Sequence, residues 1–109
     1  TERKEELLLG NIHENPAYIE PYNDLAWLYA QEGKNLQEAL KLIDRALVSE
    51  PERMAFLDTK AEVLYQLGRV EEAREIEADL AEKYPSDQGI MKQLEKFQQA
   101  LKIVPENTP

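Results

Sequence analysis

The sequence predicts an all-α fold of about six helices, arranged as stacked antiparallel hairpins, and three observations carry that prediction. The chain repeats itself: Ala26 falls on Ala61, Ala30 on Tyr65 and Gly33 on Gly68 at an offset of 35, then Glu38 falls on Glu72, Ala39 on Ala73 and Pro51 on Pro85 at 34. Apolar residues recur three and four apart on both sides of a glycine-containing turn in each copy, the spacing of an amphipathic helix. Gly33 and Gly68 sit in the turns of the two copies, and Pro16, Pro51 and Pro85 close the units. A period of this length is that of a helical hairpin, which buries its apolar face only against a neighbouring copy.

The elements follow in chain order. Residues 1–15 predict one helix, from about Glu2 to His13, with Leu8, Leu9 and Ile12 on one side, and Pro16 ends it as the close of an incomplete unit. A first full unit covers 19–53. Its first helix carries the stripe Tyr22, Leu25, Ala26, Tyr29, with Pro21 in the first turn, where a missing N–H costs nothing. Its second carries Leu36, Ala39, Leu40, Ile43, Ala46 and Leu47 and stops before Pro51, which cannot continue a helix. The offset changes between the glycine and the alanine because this copy holds one extra residue, assigned to Asn35. Asn35 with Glu38 three residues on reads as an N-terminal capping pair.

The second unit covers 54–87, with Leu57, Ala61 and Leu64 facing Val70, Ala73, Ile76 and Leu80 before Pro85. Residues 88–104 predict a capping helix that starts near Asp87 and carries Ile90, Met91, Leu94, Phe97 and Leu101 among lysines and glutamines. Stacked repeats need such a polar-backed terminal helix. The stretch 105–109, with two prolines and no periodicity, is a tail. Together with a start at Thr1 in place of methionine, it reads as the mark of a fragment or processed form of a longer protein.

These residues resemble the tetratricopeptide repeat, a 34-residue helix-turn-helix with the pattern W-x2-L-G-x2-Y, A-x3-F and P. Tyr22-x2-Leu25-Ala26-x2-Tyr29, Ala39-x3-Ile43 and Pro51 match it with conservative exchanges. The second copy keeps Leu57, Ala61, Leu64, Ala73 and Pro85, but Lys60 and Glu77 stand where the pattern asks for large apolar residues. The resemblance covers about residues 19 to 87. It implies a right-handed α-solenoid, a non-catalytic role as scaffold or adaptor, and a concave surface, lined by the first helix of each hairpin, that cradles a peptide or helix of a partner protein.

Composition narrows the partner. With 13 basic against 22 acidic residues, the net charge of -9 repels a nucleic-acid backbone or an anionic membrane and attracts a basic peptide. The longest apolar run is Leu7-Leu8-Leu9, and no signal-peptide pattern opens the chain, so a soluble protein is expected, with the cytoplasm as the default compartment. There is no cysteine and only one histidine, His13, so neither a disulfide framework, a histidine-rich metal site nor a Ser-His-Asp triad can be assembled from one chain. The four glycines form no phosphate-cradling cluster. Asp58 and Glu62, one turn apart, offer too few oxygens for a cation site and read as helix surface. No cofactor is expected.

Removing the core stripes leaves Asn23, Trp27 and Gln31, then Asp58, Glu62 and Tyr65, with Lys92 and Lys96 on the closing helix, as the candidate partner-binding residues. Trp27 lies outside the packing stripe, and tryptophan is enriched among interface hot spots. It is expected to form an apolar floor with Tyr65, while Asn23 hydrogen-bonds a ligand backbone and Asp58 and Glu62 select positive charge. The chaperone-binding members of this family hold a terminal carboxylate with lysine, asparagine and arginine. Here Asn23 is present but Trp27, Asp58 and Glu62 stand at the neighbouring inward positions, so the clamp is largely missing and acidic C-terminal tails are not expected ligands. The competing expectations are self-assembly into a homo-oligomer through the terminal helices, and service as an accessory domain of a larger enzyme.

Overall fold

A computed structural model describes residues 2–103, with the backbone alone at Ile103, so the expected tail lies outside the described residues. Six helices follow one another: α1 (Glu2–Glu14), α2 (Glu20–Glu32), α3 (Leu36–Ser49), α4 (Met54–Gln66), α5 (Val70–Lys83) and α6 (Gln88–Ile103). No strand occurs among the described residues. Each helix packs against the next, and α2 also packs against α4. The molecule is elongated, 53 × 28 × 21 Å.

The turns show why the helices stop where they do. Gly33 takes φ 67°, and the N–H groups of Gly33 and Lys34 reach back to the carbonyls of Ala30 and Tyr29, closing α2 with a left-handed cap that a side chain at this position would strain. Gly68, at φ 86°, does the same after α4, and Arg69 N–H bonds the Leu64 carbonyl at 2.8 Å. Asn35 departs from expectation. It is also left-handed, at φ 52°, and its side chain caps nothing; its carbonyl accepts the Ala39 N–H. The extra residue is therefore accommodated by the tolerance of asparagine for positive φ, and not by a capping pair with Glu38. At the last helix the side-chain cap does exist: Asp87 Oδ1 accepts the Ile90 N–H at 3.0 Å.

The apolar core has two parts. One gathers Leu8, the α2 stripe, Ala39, Ile43 and Ala46 of α3, and Phe56 and Val63 of α4; the other gathers Ala61, Leu64, Ala73 and Phe97. The eight residues expected in the centre, Leu25, Ala26, Tyr29, Ala39, Ile43, Ala46, Ala61 and Leu64, are all buried. Helix α4 serves both clusters and is buried on most of its circumference, so the expected stripe of Leu57, Ala61 and Leu64 was too narrow: Phe56 and Val63 are fully buried, and Leu57 only partly. At the ends the opposite holds. Leu9 and Met91 are exposed because α1 and α6 each have neighbours on one side only.

Polar ties join the helices. Tyr29 Oη donates to Glu5 at 2.8 Å, and Lys34 pairs with the same carboxylate, fixing α1 on α2. Burial, with the Glu5 bond second, pushes the Tyr29 phenol up to about 12. Arg53 pairs with Glu20 at 2.6 Å while its guanidinium lies over Phe56. Lys60, at a position where an apolar residue was expected, lays its half-buried stem against the fold and ends on Asp44 at 2.8 Å.

Candidate functional site

Four helices leave a groove of about 650 Å³ between them. Lys4 and Leu8 of α1, Asn23, Asp24 and Trp27 of α2, Asp58 and Thr59 of α4, and Ile90 and Gln93 of α6 contribute to its walls, with Asp87 at the mouth of α6. The size suits one or two side chains of a partner together with their backbone. Three carboxylates, Asp24, Asp58 and Asp87, line it against one ammonium, Lys4.

Helical spacing puts the α2 contribution together. Asn23 and Trp27 are four apart, on the side of α2 away from the buried Leu25, Ala26 and Tyr29. Trp27 is 37% exposed, unusual for so large an apolar side chain, and Asn23 keeps a buried Oδ1 with no hydrogen-bond donor. Trp27 therefore offers unspent apolar area to the groove, whereas the Asn23 Oδ1 is covered.

The α4 residues divide. Asp58 lines the groove and accepts from Gln93 Nε2 at 3.1 Å. Glu62, by contrast, is 2% exposed and already neutralised, since it accepts from Lys96 Nζ at 2.7 Å and from Gln66 Nε2 at 2.9 Å. Lys96 is correspondingly occupied, and its ammonium also lies 4.7 Å from the centre of the Tyr65 ring. Tyr65 stacks on Phe97 at 5.1 Å and does not line the groove, so the expected floor of Trp27 with Tyr65 is not assembled. Gln31 is exposed outside it. Lys92 borders a separate shallow depression on α6 with Met91 and Leu94. Of the eight expected residues, Asn23, Trp27 and Asp58 come together in the groove, and Glu62, Tyr65 and Lys96 form a second, internally satisfied set behind it.

Sequence reasoning passed over the residue beneath Asp58. Glu77 of α5 is 0% exposed, and no hydrogen-bond donor reaches either carboxyl oxygen. As an anion it would be stranded; as an acid, its O–H has the Asp58 carboxylate as acceptor. Burial, followed by the shared hydrogen bond and the negative charge of Asp58, pushes Glu77 up to about 10, so it is neutral at pH 7. The signal lay in the sequence as an acidic residue at an apolar pattern position, but the pattern registered only a packing fault. Gln93 and Thr59, which complete this wall, carried no signal at all.

Among the described residues, no group of three or more histidine, cysteine, aspartate or glutamate side chains is placed to hold a metal ion. Among the described residues, too, no helix is long and apolar enough to cross a membrane. Compared with protein-family models, with curated proteins and with solved structures, the chain matches none of them.

Proposed function

We propose that the chain is a tetratricopeptide-type module, a right-handed stack of antiparallel hairpins that holds an extended, basic segment of a partner protein as a non-catalytic scaffold. The observation that carries the reading is the groove between α1, α2, α4 and α6, where an exposed tryptophan stands among three carboxylates. Each feature matches one part of a peptide. Trp27 offers apolar area to a side chain, and the carboxylates attract positive charge. The repeat offset of 34 to 35, the two glycine-closed hairpin turns and the packing of α2 on α4 support the stacked-repeat reading.

Affinity capture with the chain, mass-spectrometric identification of what is retained, and repetition with Trp27→Ala test the proposal. A groove ligand is lost with the variant while circular dichroism stays unchanged. A direct partner that binds both proteins equally moves the contact to the ends or the outer face and overturns the reading.

Self-assembly is the second reading. Its support is the apolar surface left on the terminal helices, Leu7 at 62% exposure and Leu9 on α1, Met91 on α6. Light scattering over a concentration series decides between them: a mass that stays at one chain removes the assembly reading.

A further inference from the structure

Resting on the groove reading, we infer that Asp58, backed by the buried Glu77, is a socket for one arginine side chain of the bound segment, and that Glu77 tunes this socket with pH. Asp58 lines the groove on α4, where Gln93 Nε2 reaches it and the buried Glu77 carboxyl neighbours it. A guanidinium entering past Trp27 meets a planar acceptor that can take two parallel N–H bonds, with a flat aromatic face beside it. Neither of the other groove acids offers this. Asp24 sits on the exposed side of α2, and Asp87 Oδ1 holds the backbone cap of α6, whereas Asp58 Oδ1 is engaged by a side chain alone, Gln93, and can accept further.

A fully buried carboxyl at a packing position is destabilising unless something offsets it. Asp58 and Glu62 of α4 are the charged groups beside Glu77, with Gln93 of α6 as the neutral one. Burial first, then the shared hydrogen bond and negative charge of Asp58, keep Glu77 protonated, while Lys96 offsets the charge of Glu62. A bound guanidinium on Asp58 offsets the charge of Asp58 and favours the ionised acid. By linkage, whatever favours ionisation of Glu77 on binding makes binding tighter as pH rises toward the value of the free protein. The guanidinium itself stays charged throughout, so the ligand contributes no pH dependence of its own.

The experiment uses a blocked alanine pentapeptide with a central arginine, and its counterpart with citrulline, a neutral group of the same shape. Trp27 is the chain's one tryptophan, so its fluorescence reports groove occupancy directly. The arginine peptide is expected to bind at least tenfold more tightly than the citrulline peptide at pH 7.5. Between pH 7.5 and 9.5 its affinity is expected to rise about threefold, taking a tenfold preference of the bound state for ionised Glu77. Glu77→Gln, which keeps shape and removes the titration, should bind the arginine peptide with no such rise, and Asp58→Asn should lose the preference for arginine.

Equal response of Trp27 to both peptides overturns the socket and leaves the groove reading standing. Silence of Trp27 toward both at millimolar concentration removes both readings. A rise that persists in Glu77→Gln, with that variant folded by circular dichroism, assigns the pH dependence elsewhere and overturns the role of Glu77.

Discussion

The most consequential single residue is Glu77, and its cost to the fold has a definite pH signature. Its pKa is raised in the folded state relative to an ordinary carboxyl, to about 10. The folded protein therefore keeps a proton that the unfolded chain gives up, and stability falls as pH rises from the ordinary carboxylate range to that value. The native state is favoured most on the acid side of that window, where both states are protonated. Glu77→Gln removes the titration. Its stability advantage over the wild type should be small near pH 4.5 and should grow with pH to about 2–4 kcal/mol by pH 8, below the limit of about 1.4 kcal/mol per pH unit that one fully linked proton sets. Urea denaturation at three pH values measures this. A difference that does not change with pH would mean that Glu77 is ionised in the folded protein. The residue also marks how far the sequence was legible. Its misfit to the apolar pattern was visible, but its partner Asp58 lies 19 positions away on another helix, and no local spacing rule joins the two.

Among the elements, those with short-range causes were legible and those set by neighbours were not. Helix ends follow from Pro16, Pro51, Pro85, Gly33 and Gly68, and the structure puts every helix between them. Which face of a helix is buried depends on what surrounds it. The single-stripe reading understates α2, which packs on α1, α3 and α4 and also buries Pro21, Leu28 and Ala30, and it understates α4 likewise, whereas it overstates α1 and α6. Two substitutions test these causes. Gly68→Ala forces a side chain to φ 86° and should cost about 1–2 kcal/mol although no atom lies within 4 Å of the added carbon, so the loss is conformational and not steric crowding. Glu38→Ala should stay within about 0.5 kcal/mol of the wild type, because the start of α3 has no side-chain cap to lose. A larger loss on thermal denaturation would show that Glu38 caps the helix in solution. At the helix crossings, Ala26 and Ala61 are both 0% exposed, one in each core cluster, and enlarging either to leucine should cost about 1–3 kcal/mol by overpacking. Both variants unfolding at the wild-type temperature would place the close crossings elsewhere.

For the whole molecule, charge and shape act on different steps of binding, and the groove separates them. The net charge of -9 is spread over the chain, but along the groove it is carried by Asp24 on the rim, Asp58 within and Asp87 at the end of α6. Long-range attraction draws a basic segment in before contact, so it governs association; close packing on Trp27 holds the segment afterwards, so it governs release. Reversing Glu62, the more obvious inward acid by sequence, would set a second cation against Lys96 inside the fold and report instability instead of binding. Asp87 is equally unsuitable, since reversal would remove the cap of α6. Asp24 is exposed, and neither a hydrogen bond nor an ion pair of its side chain holds the fold among the described residues. With an identified groove partner, Asp24→Lys should slow association several-fold and flatten its dependence on salt, with the dissociation rate nearly unchanged. Trp27→Ala should leave association near the wild-type rate and speed dissociation enough to cost about 2 kcal/mol or more. Stopped-flow or surface-based kinetics at two ionic strengths reads both. If Asp24→Lys changes only the dissociation rate, Asp24 is a contact and not a steering charge; if neither variant alters either rate, the partner docks outside the groove.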